Sequence, residues 1–333
     1  MIKGRMRSFF LILSWPVFLM GCATVAPPAP VQGNEQATVA PPARTTESAT
    51  VELMETTRDS ARATAEWLAR GVDSWFGDKP FREGGQVTDG RLSLSLYKRQ
   101  DDKFKLGLRF NARFRLPNLE ERTYLFIGRD NEREIVTDKP GGLSRQDRLL
   151  SDTAGARSFF AGFGRDVNDA VDFRLGVRGG LKPYAQVRYR QLWRLSERDL
   201  AEFRETLFWT LQDRFGSTTV GSYEHNFSGS LIARWLNAAT ITQKNRKVEW
   251  SSSLGAYKAF GNQRLLSLEA LASGTQGSGV GVSDYGVQTK WEQPIYRDWM
   301  LGEILVGHFR PKQDAITERS RAWAIGTRLK LRF

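Results

Sequence analysis

Residues able to do chemistry are few in kind and unevenly placed along the 333-residue chain, which has two histidines and one cysteine against 49 lysines and arginines. Neither His225 nor His308 belongs to a spacing that would hold a metal ion. Ser222-Tyr223-Glu224-His225-Asn226 sets a serine near one imidazole, but it reads as a turn-flanking strand rather than a triad. The glycine-rich Gly274–Gly281 piece has no strand-to-helix context, so it does not form a phosphate loop. The single cysteine, Cys22, removes any disulfide framework or thiolate cluster. What does recur is positive charge at alternate positions: Lys105, Arg109, Arg113, Arg115, Arg174, Arg188, Arg190, Arg194, Arg204, Arg328, Lys330 and Arg332. In a strand, alternate side chains stand on one face. A ladder of cations on the inner face of a water-filled pore favours anions over cations, and the solutes it suits carry phosphate, carboxylate or sugar-acid groups. The same cations could instead pair with carboxylates such as Asp172 and Glu292 and fill the interior as structure. The sequence leaves both readings open, and it predicts no cofactor and no metal.

The elements that position these residues follow from hydrophobic period. From Gly90 to the end the period is two. Phe104, Leu106, Leu108, Phe110, Ala112, Phe114 and Leu116 alternate with Lys105, Gly107, Arg109, Asn111, Arg113 and Arg115. Trp323, Ile325, Thr327, Leu329, Leu331 and Phe333 alternate with Ala324, Gly326, Arg328, Lys330 and Arg332. Further strands are predicted near 91–99, 122–129, 157–164, 171–178, 184–195, 200–213, 217–225, 229–242, 246–259, 263–274, 281–292 and 298–309, about fourteen in all, with twelve as the alternative. Many have the roughly ten residues that a tilted strand needs to cross a bilayer. The expected fold is an all-β, transmembrane, antiparallel up-and-down barrel over 90–333. A soluble β-sandwich is the alternative.

Connection lengths give an independent check. Counted from a periplasmic start, Pro117–Glu121, Ser196–Asp199, Asn226–Ser228 and Gln293–Arg297 fall in short links on the periplasmic side. The long Asp130–Ala156 segment falls outside, as does Pro311–Ser320, which is the asymmetry of outer-membrane barrels. The long segment, with Asp138-Lys139-Pro140-Gly141-Gly142, either folds inward and narrows a pore or stays solvated. Tyr184, Trp193, Trp209, Tyr223, Trp235, Trp250, Trp291, Trp299 and Trp323 recur toward strand ends and suit interfacial girdles. A mean hydropathy of −0.44 excludes only a helical membrane protein, since alternate residues suffice for a barrel wall.

Ahead of the barrel, residues 51–89 hold a helix and lead-in, with Met54, Ala61, Ala65, Leu68, Val72 and Trp75 along one face. The helix over 51–76 is expected to cover the periplasmic mouth. A lumen plug or a dock for a periplasmic protein are the other uses. Residues 22–50 are rich in Pro, Ala, Thr and Gln, with Ala23–Ala29 repeated at Ala37–Ala43, and read as a flexible tether. Residues 1–21 form a signal peptide: Lys3, Arg5 and Arg7 precede an apolar run from Phe9 to Met20. Removing it takes the net charge from +12 to about +9.

Two resemblances then bear on location. Leu19-Met20-Gly21-Cys22 resembles the lipobox of bacterial lipoproteins. That resemblance implies a covalent lipid on Cys22, with Ala23 favouring onward transport to the outer membrane. The last strand, ending on Phe333, resembles the assembly signal of Gram-negative outer-membrane β-barrels and implies recognition by their barrel-assembly machinery. The chain is thus expected to resemble a porin-like outer-membrane barrel, lipid-anchored with both termini periplasmic, and in contact with membrane lipid and lipopolysaccharide. Similarity to outer-membrane phospholipases would need a serine two residues after a histidine, and Phe227 and Arg310 stand there instead. The expected function is therefore a channel or transporter for anionic solutes and not an enzyme. The alternatives are an envelope-assembly or polysaccharide-export barrel without pore activity, or a lipid-modifying enzyme. Basic charge without a nucleic-acid motif predicts no nucleic-acid partner.

Overall fold

A computed structural model describes residues 52, 55–60, 62–63, 65–66, 86–115, 122–138, 157–261, 263–312, 315–316 and 318–333. The signal peptide, Cys22 and the tether predicted over 22–50 lie outside the described residues. Fourteen strands follow one another: β1 Gln86–Arg99, β2 Lys105–Arg115, β3 Thr123–Asn131, β4 Arg157–Asp166, β5 Val171–Arg178, β6 Lys182–Arg194, β7 Asp199–Thr210, β8 Arg214–Ser228, β9 Leu231–Thr242, β10 Glu249–Ala259, β11 Leu265–Thr275, β12 Asp284–Tyr296, β13 Met300–Phe309 and β14 Ala322–Arg332. Each pairs with the next, and β14 pairs antiparallel with β1 from Arg91↔Arg332 to Arg99↔Ala324, which closes the ring. Every strand edge is used, as a barrel requires and a sandwich does not.

The period of two places the side chains. Leu94, Leu96, Leu106, Leu108, Leu175, Val187, Leu207, Phe215, Trp235, Leu254, Leu268, Ile304 and Ile325 are all exposed and share the outer phase. Their opposite-phase neighbours Gln186, Thr206, Thr218, Thr240, Ser253, Ser267, Glu269, Gln288 and Glu303 are buried inside. Apolar residues outside and polar residues inside invert the order of a soluble protein, and the wall so formed is stable only where its solvent is hydrocarbon. Links at the end carrying Phe333 run from two residues (Gly229–Ser230) to seven (116–122), while 132–156 at the other end is 25 long.

The segments predicted near 122–129 and 157–164 form β3 and β4, with inner aromatic rings lying flat on glycines. A Cβ on Gly164 would come within 2.2 Å of Tyr124, and one on Gly128 within 2.4 Å of Phe160. Gly216 is covered by Phe208 in the same way. The rings restore the apolar cover that a glycine in a strand gives up.

Some expectations need correction. The barrel begins at Gln86 rather than residue 90. Asn226–Ser228 and most of Gln293–Arg297 continue β8 and β12, because bulges at Asn226/Ser228 and Pro294/Tyr296 let pairing persist through a bend. Tyr184 is no girdle residue: it lies on the inner face, 1% exposed, against Phe126, Phe160 and Phe208. Of the helix expected over 51–76, the described part α1, within 52–66, lies against the outer wall and not across the mouth, and 67–76 lie outside the described residues. Ala65 is buried with Ala112, Phe114 and Leu125, whose phase is the outer one. Glu55 meets Tyr296 at 3.1 Å and Arg297 at 2.9 Å, and Arg58 lies over the Trp299 ring. The helix therefore runs along the outer wall beside the Phe333 end.

Candidate pore lining

All twelve basic positions singled out from the sequence fall on the phase opposite the exposed hydrophobics, hence on the inner face. The densest group is on β5, β6 and β7. Arg188 donates to Asp172 at 2.5 Å, and Arg174 lies 3.5 Å from the same carboxylate. Arg174 also donates to the Tyr124 hydroxyl at 3.0 Å. A segment outside the strands completes the group. Helix α2, Glu132–Thr137, opens the long external link and turns into the barrel. Its Val136 is buried among Tyr124, Phe126, Phe160, Tyr184 and Phe208. Backbone entering a barrel must find partners, and it does: Gln186 donates to the Val136 carbonyl at 3.1 Å and Arg204 to the Asp138 carbonyl at 3.1 Å. The Asp138 carboxylate receives Arg188 at 3.1 Å. Asp138 has φ of 51°, a left-handed value that Asp tolerates better than most residues. Of the two fates open to the Asp130–Ala156 segment, its described beginning folds inward; 139–156 lies outside the described residues.

Elsewhere the ladder is paired across strands. Arg109 faces Asp130 at 3.4 Å, Arg190 faces Glu202 at 2.9 Å, and Arg328 faces Glu303 at 3.6 Å. Arg113 reaches Asp166 at 3.0 Å while its guanidinium lies 3.4 Å above the Tyr124 ring. Lys330 bridges Glu292 and Glu303, and Lys105 pairs with Asp102 in the β1–β2 turn. Burial alone would raise the Asp102 carboxyl, but the Lys105 ammonium, the Lys103 amide and nearby Arg99 together hold it below its ordinary 3.8. Asp172 and Glu292, the carboxylates named from the sequence, do take such cations.

Sequence reasoning missed other inner ions. Arg99 is 2% exposed and sits between Asp101 at 2.6 Å and Asp284 at 2.9 Å. Lys290 reaches Glu269 at 2.5 Å, and Arg234 reaches Glu224 at 3.1 Å. Each stands in the polar phase of its strand, so alternation could have found it. Its partner depends on register between strands, which alternation within one strand does not contain.

Three of the twelve differ. Arg115, Arg194 and Arg332 have no carboxylate partner among the described residues, and they end β2, β6 and β14 at the mouth that carries Phe333. Both histidines lie on the outer face. His225 Nδ1 meets Asp199 at 2.7 Å, Ser196 donates to the other oxygen of that carboxylate, and His308 packs edge-on against Trp323. The serine bonds the acid rather than the imidazole, which is not the order of a nucleophile, base and acid relay.

No protein-family model matches the chain, and no curated protein matches it. Among solved structures it is similar to an anion-selective porin from Comamonas acidovorans, at 9% identity over 75% of this chain and 100% of that one, with a TM-score of 0.46. The outer membrane channel DcaP of Acinetobacter baumannii is 9% identical over 77% and 99%, with a TM-score of 0.45. A bacterial polysaccharide outer membrane secretin is 12% identical over 73% and 98%, with a TM-score of 0.41. These are likenesses of barrel fold, and at such identities they do not bear on what passes through this chain.

Proposed function

We propose that this porin-like barrel is an outer-membrane channel whose basic interior favours anionic solutes, held in addition by a lipid on Cys22. The observation that carries the reading is the set Arg115, Arg194 and Arg332, collected at one mouth with no carboxylate partner among the described residues. Paired ions inside a barrel mostly cancel at distance, whereas uncompensated guanidinium groups at an entrance raise local anion concentration and repel cations. The α2 segment on the opposite half narrows the path beside Arg174, Arg188 and Arg204, so a solute passes close to charge.

The test is reversal-potential measurement across planar bilayers holding the full-length protein in a salt gradient. Wild type is expected to prefer chloride, and Arg115→Ala/Arg194→Ala/Arg332→Ala to lose most of that preference. A barrel that carries no current in any gradient sinks the channel reading. It would favour the second reading, a sealed structural or export-assembly barrel, which the extent of interior ion pairing supports. Fatty-acid labelling of wild type and Cys22→Ser tests the anchor: equal labelling of both would end that part.

A further inference from the structure

The outer wall changes character between β7 and β10. Around most of the barrel the mid-height outer positions are large and apolar, as Leu94, Leu108, Leu175 and Ile304 show. On β7 the corresponding position is Glu205, which shares the outer phase of exposed Leu207 and pairs in register with Thr219 of β8. Its carboxylate accepts hydrogen bonds from Ser217 and from Thr219, the latter at 2.7 Å. The next outer position on β8 is Gly221, where an added Cβ would meet nothing within 4 Å. Opposite Gly221 on β9 stands Asn237, and opposite Asn237 on β10 stands Ser252. Ser252 accepts from the Trp235 indole at 3.2 Å, while the Asn237 carboxamide has no hydrogen-bond partner among the described residues.

A carboxylate and an unpartnered amide at mid-wall are poor company for acyl chains, because hydrocarbon offers neither hydrogen bonds nor solvation. Ionisable groups in such positions are ordinarily covered by protein. The band also has the form of an intramembrane contact, with small and hydroxyl residues that let two walls approach and polar groups that bond across the gap.

We propose that the β7–β10 wall is where a second copy of this chain packs. Hydrogen-bond complementarity selects a copy over another protein: the face carries an acceptor, Glu205, on one side of Gly221 and a spare donor, Asn237, on the other. A two-fold axis through the glycine brings the Asn237 amide of each protomer to the Glu205 carboxylate of its partner, satisfying both ends twice in one isologous contact. The contact also buries the exposed side chains that border the band, including Leu207, Phe215 and Leu254.

The inference is tested on the full-length protein in native outer membranes, with Gly221→Cys placed in a Cys22→Ser background so that it is the only thiol. Mild oxidation is expected to give a disulfide-linked dimer, because a residue on a two-fold axis faces its own copy. Leu94→Cys on β1, seven strands round the ring from β8 and so on the opposite wall, should remain monomeric. Dimers at both sites in equal yield, no dimer at Gly221→Cys, or linkage only to a different protein would each overturn the proposal. A second measurement uses Glu205→Leu/Asn237→Leu, which suits lipid better than wild type and should therefore still fold. Its mass in nanodiscs is expected to fall from dimer to monomer. A double variant that stays dimeric removes the polar band from the explanation. Conductance is not read in either experiment, so failure here is separable from failure of the channel reading.

Discussion

At the scale of single residues, two arginines one strand-step apart should behave differently on removal. Arg113 and Arg115 both line the inner face of β2, but only Arg113 has a described carboxylate partner, Asp166 at 3.0 Å. Each variant lowers the charge by one unit, but Arg115→Ala leaves a neutral site whereas Arg113→Ala leaves Asp166 as a bare carboxylate that binds cations in the path. Arg113→Ala should therefore shift reversal potential further toward cations. The pair is half-exposed, so its stability cost should be under about 1 kcal/mol, and the contrast is one of selectivity at nearly equal thermal stability. Equal shifts from the two variants would show that Asp166 lies outside the path of the ions. A second residue-scale prediction concerns Asp102 in the β1–β2 turn. Its carboxyl is held below the ordinary 3.8, so the folded state binds its proton less readily than the unfolded chain. The stabilisation this brings is fully present above 3.8 and is lost as pH falls through the lower, folded value. The stability difference between wild type and Asp102→Asn should therefore be flat above pH 4 and shrink below it. Unfolding measured by the gel shift between folded and heat-denatured barrel reads this directly.

At the scale of elements, helix α2 converts a long external link into part of the inner wall. Two kinds of contact hold it, the apolar seat of Val136 and the bonds of Asp138, whose carboxylate receives Arg188 and whose backbone carbonyl receives Arg204. Asp138→Ala removes the carboxylate's charged contacts, of which the bond to Arg188 is worth about 1.5–3 kcal/mol, and leaves both the Arg204 bond to the backbone carbonyl and the apolar seat. Single-channel records of this variant should show larger and noisier conductance, while Val136→Asp, which attacks the seat itself, should do so more strongly. Unchanged records from both would mean that the segment lies clear of the conducting path. The strands themselves were legible in the sequence because a barrel wall needs strict alternation: β2 and β14 could be read residue by residue, and strand number and loop asymmetry followed. The inward turn of 132–138 was not legible, since its anchors come from β3, β4, β6 and β7, and nothing local marks Val136 as buried. Tyr184 departs from the expected girdle for a related reason. Aromatic type and position near a strand end suit a girdle, but phase puts this ring inside, beside Gly176, where a Cβ would come within 2.9 Å of it.

At the scale of the whole molecule, the ring closes where β14 meets β1, between segments more than 200 residues apart in sequence. Phe333 reinforces that seam: its amide donates to the Gly90 carbonyl at 3.0 Å, and its ring stacks on Phe110 at 6.1 Å between centroids. Helix α1 lies outside the same region, anchored by Glu55 and Arg58 at the β12–β13 turn and by Ala65 against β2 and β3. Those anchors flank β13, β14 and β1, so the helix straddles the closing strands. This placement sets a use that the sequence did not offer, a strap, against the cover and the plug that it did. A plug or cover would obstruct the lumen, and its release would raise conductance. A strap on the outer wall would leave conductance alone and hold the seam, with its apolar side shared between barrel and membrane interface. Glu55→Ala/Arg58→Ala and, independently, Ala65→Asp should therefore lower the temperature at which the barrel unfolds, with single-channel conductance unchanged. The exposed pair at Glu55 contributes little alone, so the larger shift is expected from Ala65→Asp, which sets a carboxylate against buried Phe114. Higher conductance with an unshifted unfolding temperature would return the helix to the lumen.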